Sequence, residues 1–236
     1  MTQIPYRLDD DDPENQPMGL IVLQTDETIE PEFKKQFAQT SWPIYVSRIP
    51  SARTVTKTAL AEMAVALPAA ADLLPKARPY KVVGYGCTSA SSVIGSTRVE
   101  EMVQQTCEVD TVTNPLRAAI ACSKAHSVAK FALLSPYIEE VNEPLRKAFG
   151  AAGLTTDVFG TFGEAEEAKV VRISTSSVVE AAVKLGSDPD VDAVFLSCTN
   201  LRTFDAIPKI KDQLEKPVFS SNQCLAWHMR ALNAAY

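Results

Sequence analysis

The chain is 236 residues long, 46% hydrophobic and 22% charged, the balance of a soluble globular protein able to form one large domain or two small ones. Its formal net charge of −6 argues against a nucleic-acid partner, because phosphate binding needs clustered Lys and Arg. No apolar run approaches the roughly twenty residues that cross a bilayer. The first seventeen residues carry the acidic run Asp9 to Asp12 and lack the basic start and apolar stretch of a signal peptide. The expectation is a cytoplasmic protein without a membrane partner, with 1–17 forming a solvated, poorly ordered arm.

From residue 18 onward, short apolar, β-branched runs alternate with longer stretches of helical periodicity, the pattern of βα units that build a parallel sheet. Eight runs follow in order: MGLIVLQ from Met18, PIYVSRI from Pro43, KVVGYG from Lys81, CEVDTV from Cys107, KFALLS from Lys130, TTDVF from Thr155, VDAVFLS from Val191 and KPVFS from Lys216. Helical stretches fill the gaps, including Lys57 to Leu74 and Val178 to Leu185. Counted in fours, the list repeats. The third run of the first set ends in Gly86-Cys87-Thr88-Ser89 and that of the second in Ser197-Cys198-Thr199-Asn200, 111 residues later. The fourth runs close on Val112-Thr113-Asn114 and Ser220-Ser221-Asn222, each followed by a helical stretch. This is the pattern of a duplicated α/β unit, whose equivalent strand-end loops would meet in a cleft.

The five cysteines lie 20, 15, 76 and 26 positions apart, which offers neither a C-x-x-C zinc spacing nor a disulfide framework, so reduced thiols are expected. Cys87 and Cys198 each end a strand just before a helix, where backbone N–H groups and the helix dipole favour negative charge. That setting is expected to lower a thiol from its ordinary value of about 8.5. The neighbouring Thr88, Ser89, Thr199 and Asn200 offer short polar side chains suited to gripping a carboxylate. Cys107, at the start of a strand, Cys122, in a helical run, and Cys224, after the SSNQ turn, read as small buried hydrophobes.

Other chemistry finds little support. Gly84-Tyr85-Gly86 leads into a cysteine and not into a phosphate-binding turn. His126 and His228 have no partner at metal-ligand spacing, and no G-x-S-x-G elbow is present. Arg202 reads equally as an anion binder and as a partner of Asp205. Neither a metal nor a bound nucleotide is expected.

The stretches Tyr85-Gly86-Cys87-Thr88-Ser89, Leu196-Ser197-Cys198-Thr199-Asn200-Leu201-Arg202-Thr203 and Pro217-Val218-Phe219-Ser220-Ser221-Asn222-Gln223, with Trp227 beyond, resemble the aspartate/glutamate racemase superfamily. The branch they resemble holds maleate cis-trans isomerases, arylmalonate decarboxylases and ectoine-utilisation protein A. The resemblance covers about 18 to 233. It implies an α/β fold of two pseudo-symmetric flavodoxin-like lobes, each a four-stranded parallel sheet flanked by helices, with the active site between them. Residues 18–116 plus 217–236 would form the first lobe and 117–216 the second.

The resemblance also implies a cofactor-independent isomerase whose catalytic pair is Cys87 and Cys198. Its substrate binders would be Asp26, Thr88, Ser89, Asn114, Tyr137, Thr199 and Asn200. Asp26 stands where maleate isomerases resemble one another in an asparagine-containing loop, a departure that favours the ectoine-utilisation branch. A second reading of Asp26 is a cap on the helix beginning near Ile29 or Pro31. The expected partner is a small carboxylic or amino-acid-like substrate, racemised or epimerised by two-cysteine proton transfer, and self-association into a homo-oligomer is left open. The alternative is maleate-type cis-trans isomerisation with Cys87 as nucleophile. Less favoured are a small-acid binding protein and a decarboxylase, since arylmalonate decarboxylases have glycine at the first cysteine position.

Overall fold

The computed structural model describes residues 1–9 and 16–234. Most of the acidic run of the expected N-terminal arm, Asp10 to Asp12, lies outside the described residues. The first half contains β1 (Met18–Leu23), α1 (Ile29–Gln36), β2 (Ile44–Ile49), α2 (Lys57–Asp72), β3 (Tyr80–Gly86), α3 (Thr88–Ile94), α4 (Ser96–Gln104), β4 (Val109–Thr113) and α5 (Pro115–Ala125). The second contains β5 (Phe131–Tyr137), α6 (Glu139–Ala151), β6 (Phe159–Glu164), α7 (Glu167–Val170), α8 (Thr175–Gly186), β7 (Ala193–Leu196), α9 (Ala206–Leu214), β8 (Val218–Ser220) and α10 (Ser221–Ala234).

The strands form two sheets, ordered β2-β1-β3-β4 and β6-β5-β7-β8, and every pairing is parallel. The two orders correspond position by position, so the repeat expected from the motifs is a repeat of architecture. β1 and β5 are buried along their whole length. Their near-continuous apolar sequence suits strands covered by helices on both faces.

Four expected strands shift. β4, β7 and β8 each start two residues after Cys107, Val191 and Lys216, and the sixth strand is Phe159–Glu164, whereas Thr155 contributes only a single bridge to Lys130. β6 is an edge strand containing Gly160 and Gly163 and half-exposed along its length. Partial exposure relaxes the demand for β-branched residues that a central strand obeys.

The final helix of each half crosses to the other lobe. α5 follows the first sheet, yet its Leu116, Ala118, Ala119 and Cys122 pack with Phe131, Leu133 and Phe195 of the second. α10 follows the second sheet, yet its Leu225, Ala226 and Met229 pack with Met18, Leu20, Val22 and Val82 of the first. The two helices also pack against one another. The expected assignment of 217–236 to the first lobe is therefore corrected: β8 pairs with β7 in the second sheet, and only α10 crosses over.

Polar ties add to this exchange. Glu32 of α1 is buried and accepts from the backbone N–H groups of Thr203 at 3.0 Å and Phe204 at 2.9 Å, and from Asn222 Nδ2 at 2.9 Å. The segment between β2 and α2 reaches the second half through Val55 N–H donating to the Ala165 carbonyl at 2.8 Å and Glu167 N–H donating to that of Arg53 at 3.1 Å.

Candidate active site

Cys87 follows β3 in extended conformation and caps the N-terminus of α3, its Sγ accepting from Ala90 N–H at 3.4 Å. Gly86 precedes it because a Cβ there would lie 2.7 Å from Ile29 Cδ1 and 3.3 Å from the Ile21 carbonyl oxygen. Cys198 follows β7 with φ of 109°, a region that costs a side-chain-bearing residue about 1–3 kcal/mol and persists only where surrounding contacts hold it. Here Cys198 N–H donates to Ser221 Oγ at 3.0 Å and Asn200 N–H donates to Cys198 Sγ at 3.3 Å. Ser221 also accepts from Thr88 Oγ1 at 2.8 Å, and Thr199 Oγ1 donates to the Gly86 carbonyl at 3.2 Å, so the two cysteine turns are bonded to one another.

Both cysteines line one cleft, together with Thr88, Ser89, Tyr137 and Thr199 from the sequence reading and Thr25, Ser51 and Thr54 from neighbouring loops. Leu23, Val55, Leu60 and Met63 supply its apolar wall. Tyr137, at the end of β5, has its hydroxyl 3.0 Å from Cys198 Sγ.

Three expected substrate binders stand behind this lining. Asp26 is 2% exposed, and its Oδ1 accepts from Thr28 N–H and Ile29 N–H, both at 2.8 Å, which makes it the cap at the start of α1. Its Oδ2 is buried without a hydrogen-bond partner. Asn114 caps α5, accepting from Arg117 N–H at 3.0 Å and Ser96 Oγ at 3.1 Å. Asn200 is saturated by Glu27 N–H, Thr28 and the Thr25 carbonyl, and its Nδ2 donates to Glu167 Oε2 at 2.8 Å.

Among the cleft residues that the sequence reading missed, Glu167 is the carboxylate. It is 3% exposed, opens the short α7, lines the cleft and accepts from Tyr137 Oη at 2.6 Å. In the sequence it stands beside Glu164 and Glu166, which reads as a solvated acidic stretch. Ser221 was likewise visible only as part of a matched turn.

The electrostatics reverse one expectation. Burial pushes the Cys87 thiol up to about 12, with the Ala90 N–H opposing and the Glu167 and Asp26 charges adding to the rise. Burial and then the Glu167 charge hold Cys198 well above the ordinary thiol range, against the Tyr137 and Asn200 hydrogen bonds. Desolvation thus outweighs the helix N-terminus, and both resting thiols are protonated. Burial also raises Asp26 and Glu167, each opposed by the hydrogen bonds it accepts.

The remaining candidates lie elsewhere. Cys107, Cys122 and Cys224 are buried in the cores. His126 packs on Phe219 with ring centroids 5.4 Å apart, and His228 Nδ1 lies 2.7 Å from Thr113 Oγ1. Arg202 donates to the Ile173 carbonyl at 2.9 Å.

Two parallel sheets of matching order, each sending a strand-end cysteine into a shared cleft, define a pseudo-symmetric two-lobed α/β protein with a thiol-bearing site. Residues 18–235 match the arylmalonate decarboxylase family model, and the chain belongs to that family. A 105-residue stretch is 32% identical to arylmalonate decarboxylase of Bordetella bronchiseptica, covering 44% of this chain and 44% of that protein. The match thus spans less than half the length of that relative.

The same fold occurs in maleate cis-trans isomerase of Nocardia farcinica bound to TRIS, with TM-score 0.81, 21% identity and 92% of each chain covered. Maleate isomerase Iso of Pseudomonas putida S16 gives 0.80, 22% and 91% of each chain. An arylmalonate decarboxylase gives 0.72 and 22%, covering 92% of this chain and 93% of that one. A cysteine-to-serine mutant of the Nocardia enzyme carries a covalently bound succinylcysteine intermediate. These similar proteins are enzymes by name.

Proposed function

We propose that this protein is a cofactor-independent isomerase that inverts the α-carbon of a small amino-acid-like acid by proton transfer between two cysteines. The observation that carries the reading is that Cys87 and Cys198, from equivalent strand ends, line the same cleft. One thiolate removes the α-proton while the opposing thiol protonates the other face. The planar enediolate formed between these steps needs oriented donors at its oxygens, which the Ser89 hydroxyl supplies, joined by those of Thr88 and Thr199 once they turn from Ser221 and the Gly86 carbonyl.

Charge narrows the substrate. Glu167 lines the cleft, Asp26 acts on both thiols from behind it, and no Lys or Arg is among the described lining residues. Two like charges about 4 Å apart repel by about 4 kcal/mol at an effective dielectric of 20, before desolvation reduces the net figure. A site of this sign favours an acid whose carboxylate is balanced by an ammonium group over a dianion.

The second reading is maleate-type cis-trans isomerisation, in which Cys87 adds to the double bond, the resulting single bond rotates and elimination follows. The likeness to maleate isomerases favours it. NMR of candidate acids in D₂O, using chelator-dialysed protein, separates the two. We expect α-proton exchange with inversion of an amino acid and an inert maleate. Rapid conversion of maleate to fumarate, with no α-exchange from any amino acid tested, would establish the second reading instead.

A further inference from the structure

We propose that Glu167 serves, through Tyr137, as the internal proton acceptor that converts the Cys198 thiol into the catalytic thiolate. The inference rests on the proton-transfer reading above for its purpose, and on the hydrogen-bond chain for its existence. Tyr137 Oη lies 3.0 Å from Cys198 Sγ and 2.6 Å from Glu167 Oε1, while Asn200 Nδ2 holds Glu167 Oε2 at 2.8 Å. Tyr137 has one hydroxyl proton. With that proton directed at Glu167, the phenolic oxygen is free to accept from the Cys198 thiol.

The transfer is balanced. The S–H bond of Cys198 breaks as its proton passes to Tyr137 Oη, and the Tyr137 O–H bond breaks as its proton passes to Glu167 Oε1. A thiolate, a phenol and a carboxylic acid remain, and one negative charge has moved from Glu167 to Cys198. The product thiolate keeps the Asn200 N–H bond at 3.3 Å. Because all three side chains are buried, the proton stays inside the protein. The charge of the site is unchanged, so its preference for an ammonium-bearing substrate is unchanged too.

Cys87 has no such chain. Its Sγ accepts from Ala90 N–H at 3.4 Å, with the Ser89 N–H acting on it too, and no described side chain stands at hydrogen-bond distance to take its proton, which assigns Cys198 as the resting enzyme's base and Cys87 as its acid. The other ionisable groups acting on Cys198 and Glu167 are Tyr137 and Asp26. Asp26 is held by its own two N–H bonds at α1.

The test follows α-proton exchange in D₂O against pH, in the full-length protein and its variants, with an amino acid that the unmodified protein exchanges. We expect Glu167→Gln and Tyr137→Phe each to lower the exchange kcat near neutral pH by about tenfold or more while KM stays within about threefold, the rate climbing with pH as hydroxide replaces the internal acceptor, and Glu167→Asp to restore part of it. A Glu167 that acts only as a neighbouring negative charge gives the opposite sign, because its removal makes the Cys198 thiolate easier to form and raises the rate. An unchanged or raised kcat in Glu167→Gln overturns the proposal. Circular dichroism checks the fold of each variant, and Tyr137→Phe carries the test if Glu167→Gln does not fold. Absence of exchange by the unmodified protein overturns the isomerase reading and the relay with it, whereas exchange that persists undiminished in Glu167→Gln overturns the relay alone.

Discussion

At the residue scale, the five cysteines separate into two that line the cleft and three that fill core space. We expect Cys87→Ala and Cys198→Ala each to lower net inversion about a thousandfold, within the usual range for losing a positioned acid or base. Cys107→Ala, Cys122→Ala and Cys224→Ala should stay within a few-fold of the unmodified rate while lowering the melting temperature. Retention of near-normal inversion by folded Cys87→Ala or Cys198→Ala rules out the two-thiol mechanism. Cys87 also makes stability depend on alkaline pH. Folded, it keeps its proton to about pH 12, whereas a free thiol loses it near about 8.5. Between those values the unfolded chain binds fewer protons, so stability falls as pH rises. Denaturant unfolding of Cys87→Ser should show a shallower decline across that window.

Elements explain why some polar residues of the sequence were assigned to substrate. Asn114 ends a matched run and Asp26 follows the first strand, but one oxygen of each is committed to a helix start, with Asp26 Oδ2 and Asn114 Nδ2 left unpartnered behind the cleft. Asn114 is the N-cap of α5, the helix that crosses to the second sheet. Loss of such a cap costs about 1 kcal/mol, or about 2–4 °C of melting temperature in a protein of this size. Asn114→Ala should therefore lower the melting temperature by that amount and leave KM unchanged; a tenfold rise in KM at constant stability would return it to the substrate site. The cap reading of Asp26 was legible, because an Asp three residues before an apolar helix start has one clear local use. The α5 and α10 exchange was not written in the residues themselves, since an amphipathic helix carries no mark of which sheet it will cover; the placing of 117–216 with the second lobe and of the last helix with the first came from the family resemblance alone.

The whole molecule depends on contacts between halves that are distant in sequence. Glu32 is the strongest polar example, a buried carboxylate on α1 that accepts three bonds of 3.0 Å or less from the second half and the start of α10. Glu32→Ala would leave those donors buried and unpartnered, a cost on the order of 3 kcal/mol, visible as an earlier urea midpoint. Burial raises Glu32 above its ordinary value, against the bonds from Asn222, Phe204 and Thr203. The folded protein therefore holds this proton at pH values where the unfolded chain has released it, and the resulting stabilisation appears as pH falls from neutral toward the ordinary carboxylate range near 4.5 and is absent above the raised value. Glu32→Gln should remove that part of the pH dependence while keeping an acceptor for the N–H groups.

By itself, the sequence determined the alternation of strands and helices, the twofold repeat of a four-strand unit and the two Cys-Thr turns. Each of these is written locally, in hydrophobic period or in a motif at a strand end. Tertiary structure decided the rest. Glu167 looks like one acid among several along the chain and becomes a cleft residue only because Tyr137 and Asn200 arrive beside it from β5 and the loop after β7. The protonated state of the thiols was decided there as well: a helix N-terminus can be read from sequence, but the desolvation that outweighs it comes from the packing of both lobes around the site.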